Sequence, residues 1–96
     1  PQEAENVLAM HPDVADVAVF GIPHEDLGEV AHAVVQLIPG VEPSEQLGDE
    51  LIAYCREALA SIKCPRSVSF MAELPRLPTG KLYKQKLKDQ FWPHSS

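Results

Sequence analysis

The spacing of apolar side chains divides the chain into alternating helices and strands. Ala4, Val7, Leu8 and His11 recur three and four apart, so residues 2–11 read as a short helix. Glu3 and Glu5 stand near its start, where the helix dipole favours acids. His11-Pro12 ends it, because the residue before a proline is pushed out of the helical region. Asp16 to Phe20 is too short and too β-branched for a helix and reads as a strand, which Gly21-Ile22-Pro23 is expected to break. Beyond the loop 24–29, Val30–Ile38 carries the strongest strand signal and is expected to be the central strand, stopped by Pro39-Gly40. These two strands are expected to pair antiparallel across a long connection.

In the second half, Ser44 is an N-cap candidate, and Leu47, Leu51, Cys55, Ala58, Leu59 and Ile62 form one helical stripe. Gly48 weakens the first turn and moves the expected start towards Asp49, while Lys63-Cys64-Pro65 marks the end. Ser67–Met71 alternates polar and apolar positions and reads as a third strand. From Tyr83 the pattern returns to helix, with Tyr83, Leu87 and Phe91 four apart and Lys81, Lys84 and Lys88 on another face. The order helix-strand-strand-helix-strand-helix describes an α/β fold, a small three-stranded mixed sheet with flanking helices. A right-handed crossover through the middle helix makes the second and third strands parallel. Residues 93–96 read as a frayed tail, with Phe91 and Trp92 free to dock on the domain or on a neighbour.

A chain of 96 residues, 45% hydrophobic and 23% charged, is one ordinary globular domain, small for an enzyme with a deep cleft of its own. Its opening residues already read as a helical turn, without a signal peptide or a starting methionine, as if cut from a longer protein. The run Val30–Ile38 is too short for a transmembrane segment. Cys55 and Cys64 fit no CxxC pattern and read as two reduced thiols, which suits a cytoplasmic protein. The four histidines show no metal-ligand spacing, so no metal site is expected, and neither serine near Lys63 has an evident histidine and carboxylate partner. A net charge of -6 argues against broad nucleic-acid binding. It conceals a sharp segregation: residues 1–55 hold eleven acidic and no Lys or Arg side chains, residues 56–96 eight basic and three acidic ones. A basic C-terminal part is suited to anions such as phosphates, or equally to an acidic protein partner.

Within that part, Leu74-Pro75-Arg76-Leu77-Pro78-Thr79-Gly80-Lys81-Leu82-Tyr83-Lys84 is the stretch most constrained by its own composition. Two prolines and a glycine hold the backbone in a defined loop that presents Lys81 where the basic helix begins. Thr79-Gly80-Lys81 is not a P-loop, since Leu82 stands where Ser or Thr must follow the lysine. A Gly-Lys pair can contact phosphate or carboxylate oxygens, but on these residues alone a solvated surface lysine explains it equally well.

Taken together, Pro1-x-Glu3-x-Glu5 through His11-Pro12-x-Val14, Val17–Pro23 with Gly28-Glu29, Ala33-Val34-Val35, Ile62-Lys63-Cys64-Pro65, and Leu74-Pro75-Arg76 to Thr79-Gly80-Lys81 with Lys84 and Leu87 resemble a known family. The chain is similar, over about residues 1 to 92, to the C-terminal domain of the adenylate-forming (AMP-binding) enzymes, and most like an acyl-CoA synthetase. The resemblance implies a small lid that closes over a large N-terminal domain, absent here, in which ATP, Mg²⁺ and a carboxylic acid are held. It implies that Lys81, carried by the Thr79-Gly80 loop, bridges acid and nucleotide during adenylation, and that the lid then rotates to admit CoA. Positions matching CoA-facing sites are Leu27-Gly28, Arg56 and Lys63-Cys64; Arg56 and Lys63 are open to either reading, as partners of CoA phosphates or as surface cations. Leu77 and Lys84 depart from the family's commoner Thr or Ser and Arg. A carrier-protein phosphopantetheine arm is the alternative acceptor, and a non-catalytic basic-faced interaction module the alternative of another class.

Overall fold

The computed structural model describes residues 2–91. In chain order these form α1 (Gln2–Ala9), β1 (Val14–His24), β2 (Gly28–Leu37), α2 (Glu45–Ala58), a 3₁₀ turn (Ser61–Lys63), β3 (Ser67–Phe70) and α3 (Lys84–Phe91). The sheet order is β1-β2-β3, with β1 and β2 antiparallel and β2 and β3 parallel. The mixed sheet, its central strand and the order of elements are those expected from the apolar spacing.

Alternation along the strands sends successive side chains to opposite faces of the sheet. Val17, Val19, Ala33 and Val35 meet Ala4 and Leu8 of α1 and Leu47, Leu51 and Cys55 of α2. Ala18, Phe20 and Val34 face the other way, onto Leu74 and onto Leu87 and Phe91 of α3. Each helix contributes one completely buried leucine, Leu8, Leu51 and Leu87. Burying such a side chain stabilises by about 1.5–3 kcal/mol, enough to dock helices too short to persist alone. Phe91 therefore docks on the domain itself, its ring 5.8 Å from Phe20 and 4.7 Å from His32. Trp92 and the tail 93–96 lie outside the described residues.

Several boundaries differ from expectation for identifiable reasons. Strand β1 does not break at Gly21-Ile22-Pro23 but runs to His24, pairing Pro23 with Glu29; an edge strand tolerates a proline that a central one would reject. Because both strands continue to meet, the connection between them is short. Its turn is held by His24, whose Nδ1 accepts the N–H groups of Asp26 and Leu27 at 3.2 and 3.1 Å, and by Gly28 at φ +78. Helix α1 stops at Ala9, before His11.

Helix α2 starts at Glu45, not near Asp49, because the Ser44 hydroxyl accepts the Leu47 N–H at 3.0 Å. Gly48 is buried there against β3, where a Cβ would stand 3.7 Å from that of Val68, so packing outweighs its poor propensity. The helix also ends early, at Ala58. The following 3₁₀ turn draws Cys64 and Pro65 into the core and leaves Ile62 outside, 91% exposed rather than on the buried stripe. Cys55 and Cys64 are both free thiols, and burial together with the neighbouring Cys64 pushes the Cys55 thiol up to about 12. Among the described residues no helix is long and apolar enough to cross a membrane.

Candidate functional site

The stretch around Lys81 folds as a small hairpin whose form follows from its prolines and glycine. The N–H of Gly80 donates to the Leu77 carbonyl and that of Leu77 to the Lys81 carbonyl, each at 2.8 Å, and Tyr83 N–H closes the base on the Pro75 carbonyl at 2.9 Å. Arg76 and Leu82 pair across it. Pro78 suits the turn because it presets φ, and Gly80, at φ +90, takes the left-handed position that closes a hairpin of this kind. Lys81 follows at once on the returning arm. Helix α3 begins only at Lys84, so Lys81 does not share a helical face with Lys84 and Lys88 as the spacing predicted.

Anchors at both ends tie the hairpin to the sheet. Leu74 is buried, and its N–H donates to Gln36 Oε1 at 3.0 Å. Gln36 stands directly opposite Asp16 in the β1–β2 ladder, at the point where the register shifts between Val14 and Asp16. Such a bulge re-aims side chains, and the Asp16 carboxylate pairs with the Arg76 guanidinium. Arg76 also donates from Nη1 to the Gly80 carbonyl at 2.8 Å. Beyond the returning arm, Lys84 pairs with Glu5 of α1, whose Oε2 accepts the Val19 N–H at 2.8 Å on the outer edge of β1. Thr79, Gly80 and Lys81 themselves are exposed. Among the described residues no hydrogen bond or ion pair occupies the Lys81 ammonium.

A second region gathers most of the other candidates. Leu27 at the β1–β2 turn, Arg56 at the end of α2, and Cys64 line a groove of about 530 Å³ together with Val30, Ile62 and Arg66. Gly28 shapes the turn beside it, while Lys63 points away to pair with Glu3 at 3.0 Å and borders an adjacent hollow. The Cys64 thiol is directed at the Ala60 carbonyl, 3.5 Å away, and so serves the turn rather than the groove. Arg66 was missed by sequence reasoning. Its signal was a further cation two residues past Cys64, fixed by its N–H on the Ala31 carbonyl at 2.9 Å.

Other polar clusters are occupied with structural contacts. His11, Asp13 and Glu50 bring potential ligand atoms within 4.8 Å of one another. His11 Nδ1 already accepts the Asp13 N–H at 3.1 Å, so the neutral ring carries its proton on Nε2 and offers a cation no lone pair without giving up that bond. Ser67, for which no histidine and carboxylate pair was expected, does meet a histidine: its hydroxyl lies 2.6 Å from Nδ1 of buried His32, its opposite number in the β2–β3 ladder. Nε2 of His32 meets no partner among the described residues, and burial holds this imidazole below its usual pKa. Among the described residues no carboxylate orients it, so the pair braces two strands and lacks the third member of a nucleophilic triad.

The profile of the AMP-binding enzyme C-terminal domain matches residues 3–81, which includes the whole hairpin as far as Lys81. The chain belongs to this family. It is 47% identical over 90 residues, 94% of its length, to 3-[(3aS,4S,7aS)-7a-methyl-1,5-dioxo-octahydro-1H-inden-4-yl]propanoyl:CoA ligase of Rhodococcus jostii, covering 17% of that protein. It is 42% identical over 96 residues, its full length, to the fatty acid–[acyl-carrier-protein] ligase ScoC of Streptomyces coeruleorubidus, covering 18% of it. The crystal structure of an acyl-CoA synthetase from Brucella canis superposes with a TM-score of 0.89 at 36% identity, over 94% of this chain and 17% of that one. The AMP-binding C-terminal domain described here thus spans less than a fifth of the relatives it matches.

Proposed function

We propose that residues 1–92 are the mobile C-terminal lid of a longer, AMP-forming acid–CoA ligase. The large N-terminal domain of that enzyme holds ATP and Mg²⁺, a carboxylic acid of the fatty class is activated there as acyl-AMP, and the acyl group passes to CoA. The observation that carries this reading is the Lys81 hairpin: an ammonium without a partner among the described residues, on an exposed, hydrogen-bonded turn, beside two cations already paired to the body of the domain. A carboxylate attacking the α-phosphate brings two anions together, and a fixed cation offsets charge as it redistributes in the transition state. Lys81 must then withdraw before the thiol arrives, which is the purpose of rotating the lid. The groove bearing Arg56 and Arg66 is suited to the phosphates of the incoming CoA. A cytoplasmic setting, in which Cys55 and Cys64 remain thiols, accords with this reading.

Acid-dependent ATP–pyrophosphate exchange by the full-length protein tests the enzymatic reading. Exchange is expected in the wild type and nearly lost in Lys81→Ala, with transfer from preformed acyl-adenylate to CoA retained. Equal loss of both half-reactions would refute the role of Lys81, and absence of exchange in the wild type would leave a binding module. Similarity to ScoC over the full chain favours a second acceptor, the phosphopantetheine arm of a carrier protein. Supplying CoA and holo carrier protein in parallel separates the two.

A further inference from the structure

The hairpin that carries Lys81 buries little, since residues 76–81 are all exposed, and an isolated two-stranded hairpin is marginally stable in water. Its internal hydrogen bonds fix its shape but not its direction relative to the sheet. Leu74 and Lys84 anchor its two ends, and one side chain ties the tip itself to the sheet. Arg76 stands across from the tip, and its planar guanidinium addresses two targets at once: Nη1 donates to the carbonyl of Gly80, the residue immediately before Lys81, while Nη2 pairs with Asp16 of β1. Asp16 is itself held, because its Oδ1 accepts the Val17 N–H at 3.0 Å and the bulge sets its backbone. The root of Lys81 is therefore referred to strand β1 through a single fork on half-buried Asp16, a geometry a lysine in place of Arg76 cannot reproduce.

We propose that Arg76 is a positioning residue for adenylation, and that the Asp16–Arg76–Gly80 relay fixes the direction from which Lys81 enters the cleft. The inference rests on the adenylation role of Lys81. It adds a task for a cation that would otherwise count as one more partly exposed ion pair, a class of contact worth little to stability. A misplacement of about 1 Å at a reacting group costs up to on the order of a hundredfold in rate, so the loss of this relay is expected in catalysis more than in folding.

The test uses the full-length ligase with Arg76→Gln, Asp16→Asn, the double variant and Arg76→Lys, each assayed for pyrophosphate exchange, for transfer from preformed acyl-adenylate to CoA, and for thermal midpoint. Exchange should fall about ten- to a hundredfold in both single variants. The double variant should be no worse than the poorer single one, because both break the same relay. Arg76→Lys should recover only part of the loss, and transfer should stay within about twofold of wild type. Exchange at the wild-type level in Arg76→Gln overturns the proposal, as does a parallel fall of both half-reactions with the thermal midpoint, or additive losses in the double variant. If Arg76→Gln does not fold, Asp16→Asn breaks the relay from the β1 side and decides by the same outcomes. Lys81→Ala separates the two claims: if it spares exchange, the role of Lys81 and the positioning both fail; if it abolishes exchange while Arg76→Gln does not, only the positioning fails.

Discussion

The Lys81 hairpin and the Arg56–Arg66 groove differ in how they hold a cation ready. The hairpin takes its shape from backbone hydrogen bonds and is tied to the sheet by the Arg76–Asp16 and Lys84–Glu5 pairs, while the Lys81 ammonium beside its tip has no partner among the described residues. In the groove the Arg66 backbone is held on the Ala31 carbonyl, but the side chains of Arg56 and Arg66 enter no ion pair among the described residues. It forms where a turn, a helix end and a 3₁₀ segment converge, with two exposed arginines at its border and the exposed side chain of Ile62 beside them. A single charge delivered to a reacting centre must arrive in one orientation, whereas a diphosphate or a pantetheine arm can be received by long side chains that adjust. The two regions share no lining residue, so their functions should separate by mutation.

The largest expected effect is on the hairpin side: Lys81→Ala should lower pyrophosphate exchange by about 10²–10³, the usual cost of one preorganised charge contact, with little change in CoA transfer. The groove should give the mirror image at smaller size. Arg66→Ala or Arg56→Ala should raise the KM for CoA about tenfold, as expected for one charge-assisted contact, and leave exchange intact. Loss of exchange in these arginine variants would break the separation. Smaller again are the paired glycines. Gly80 and Gly28 both lie at positive φ with open space around an added Cβ, so Gly80→Ala and Gly28→Ala should each cost about 1–2 kcal/mol of strain. Equal falls in thermal midpoint should accompany opposite kinetics, the first slowing adenylation and the second transfer.

The smallest effect concerns stability against pH. The folded-state pKa of His32 is depressed by burial against Phe20, Phe91 and Ser67. The unfolded chain therefore binds the proton more readily, and the contribution of His32 is complete above its ordinary pKa of 6.5. It is lost as pH falls below 6.5 towards the lower folded value. Thermal midpoints between pH 7.5 and about pH 5 should show this decline, and His32→Asn should flatten it.

Much of this arrangement could be read from residue order, and the exceptions have physical causes. Apolar spacing placed every helix and strand, and the proline–glycine frame marked the hairpin, since those residues restrict the backbone wherever they occur. Gly21-Ile22-Pro23 misled because whether a proline interrupts a strand depends on the strand being at the edge, which is a property of the sheet. Gly48 misled because helix propensity is a weak term beside close packing on Val68. Ile62 fell on the helical stripe by period but outside it in space, once Cys64 and Pro65 were drawn inward. Lys81, Arg76 and Lys84 look alike as three cations in one loop. Only their partners, Asp16 and Glu5 at distances of sixty and more residues along the chain, tell which of them is left available.

Glu5 has one more consequence, for association rather than catalysis. Its carboxylate occupies the outward N–H of Val19, in the middle of the edge strand β1. A strand from another molecule that approached this edge would meet a buried negative charge in place of a free donor, and would have to break the Lys84 pair to add itself to the sheet. Of the two sheet edges, β1 is the longer, and Glu5 closes it to self-assembly.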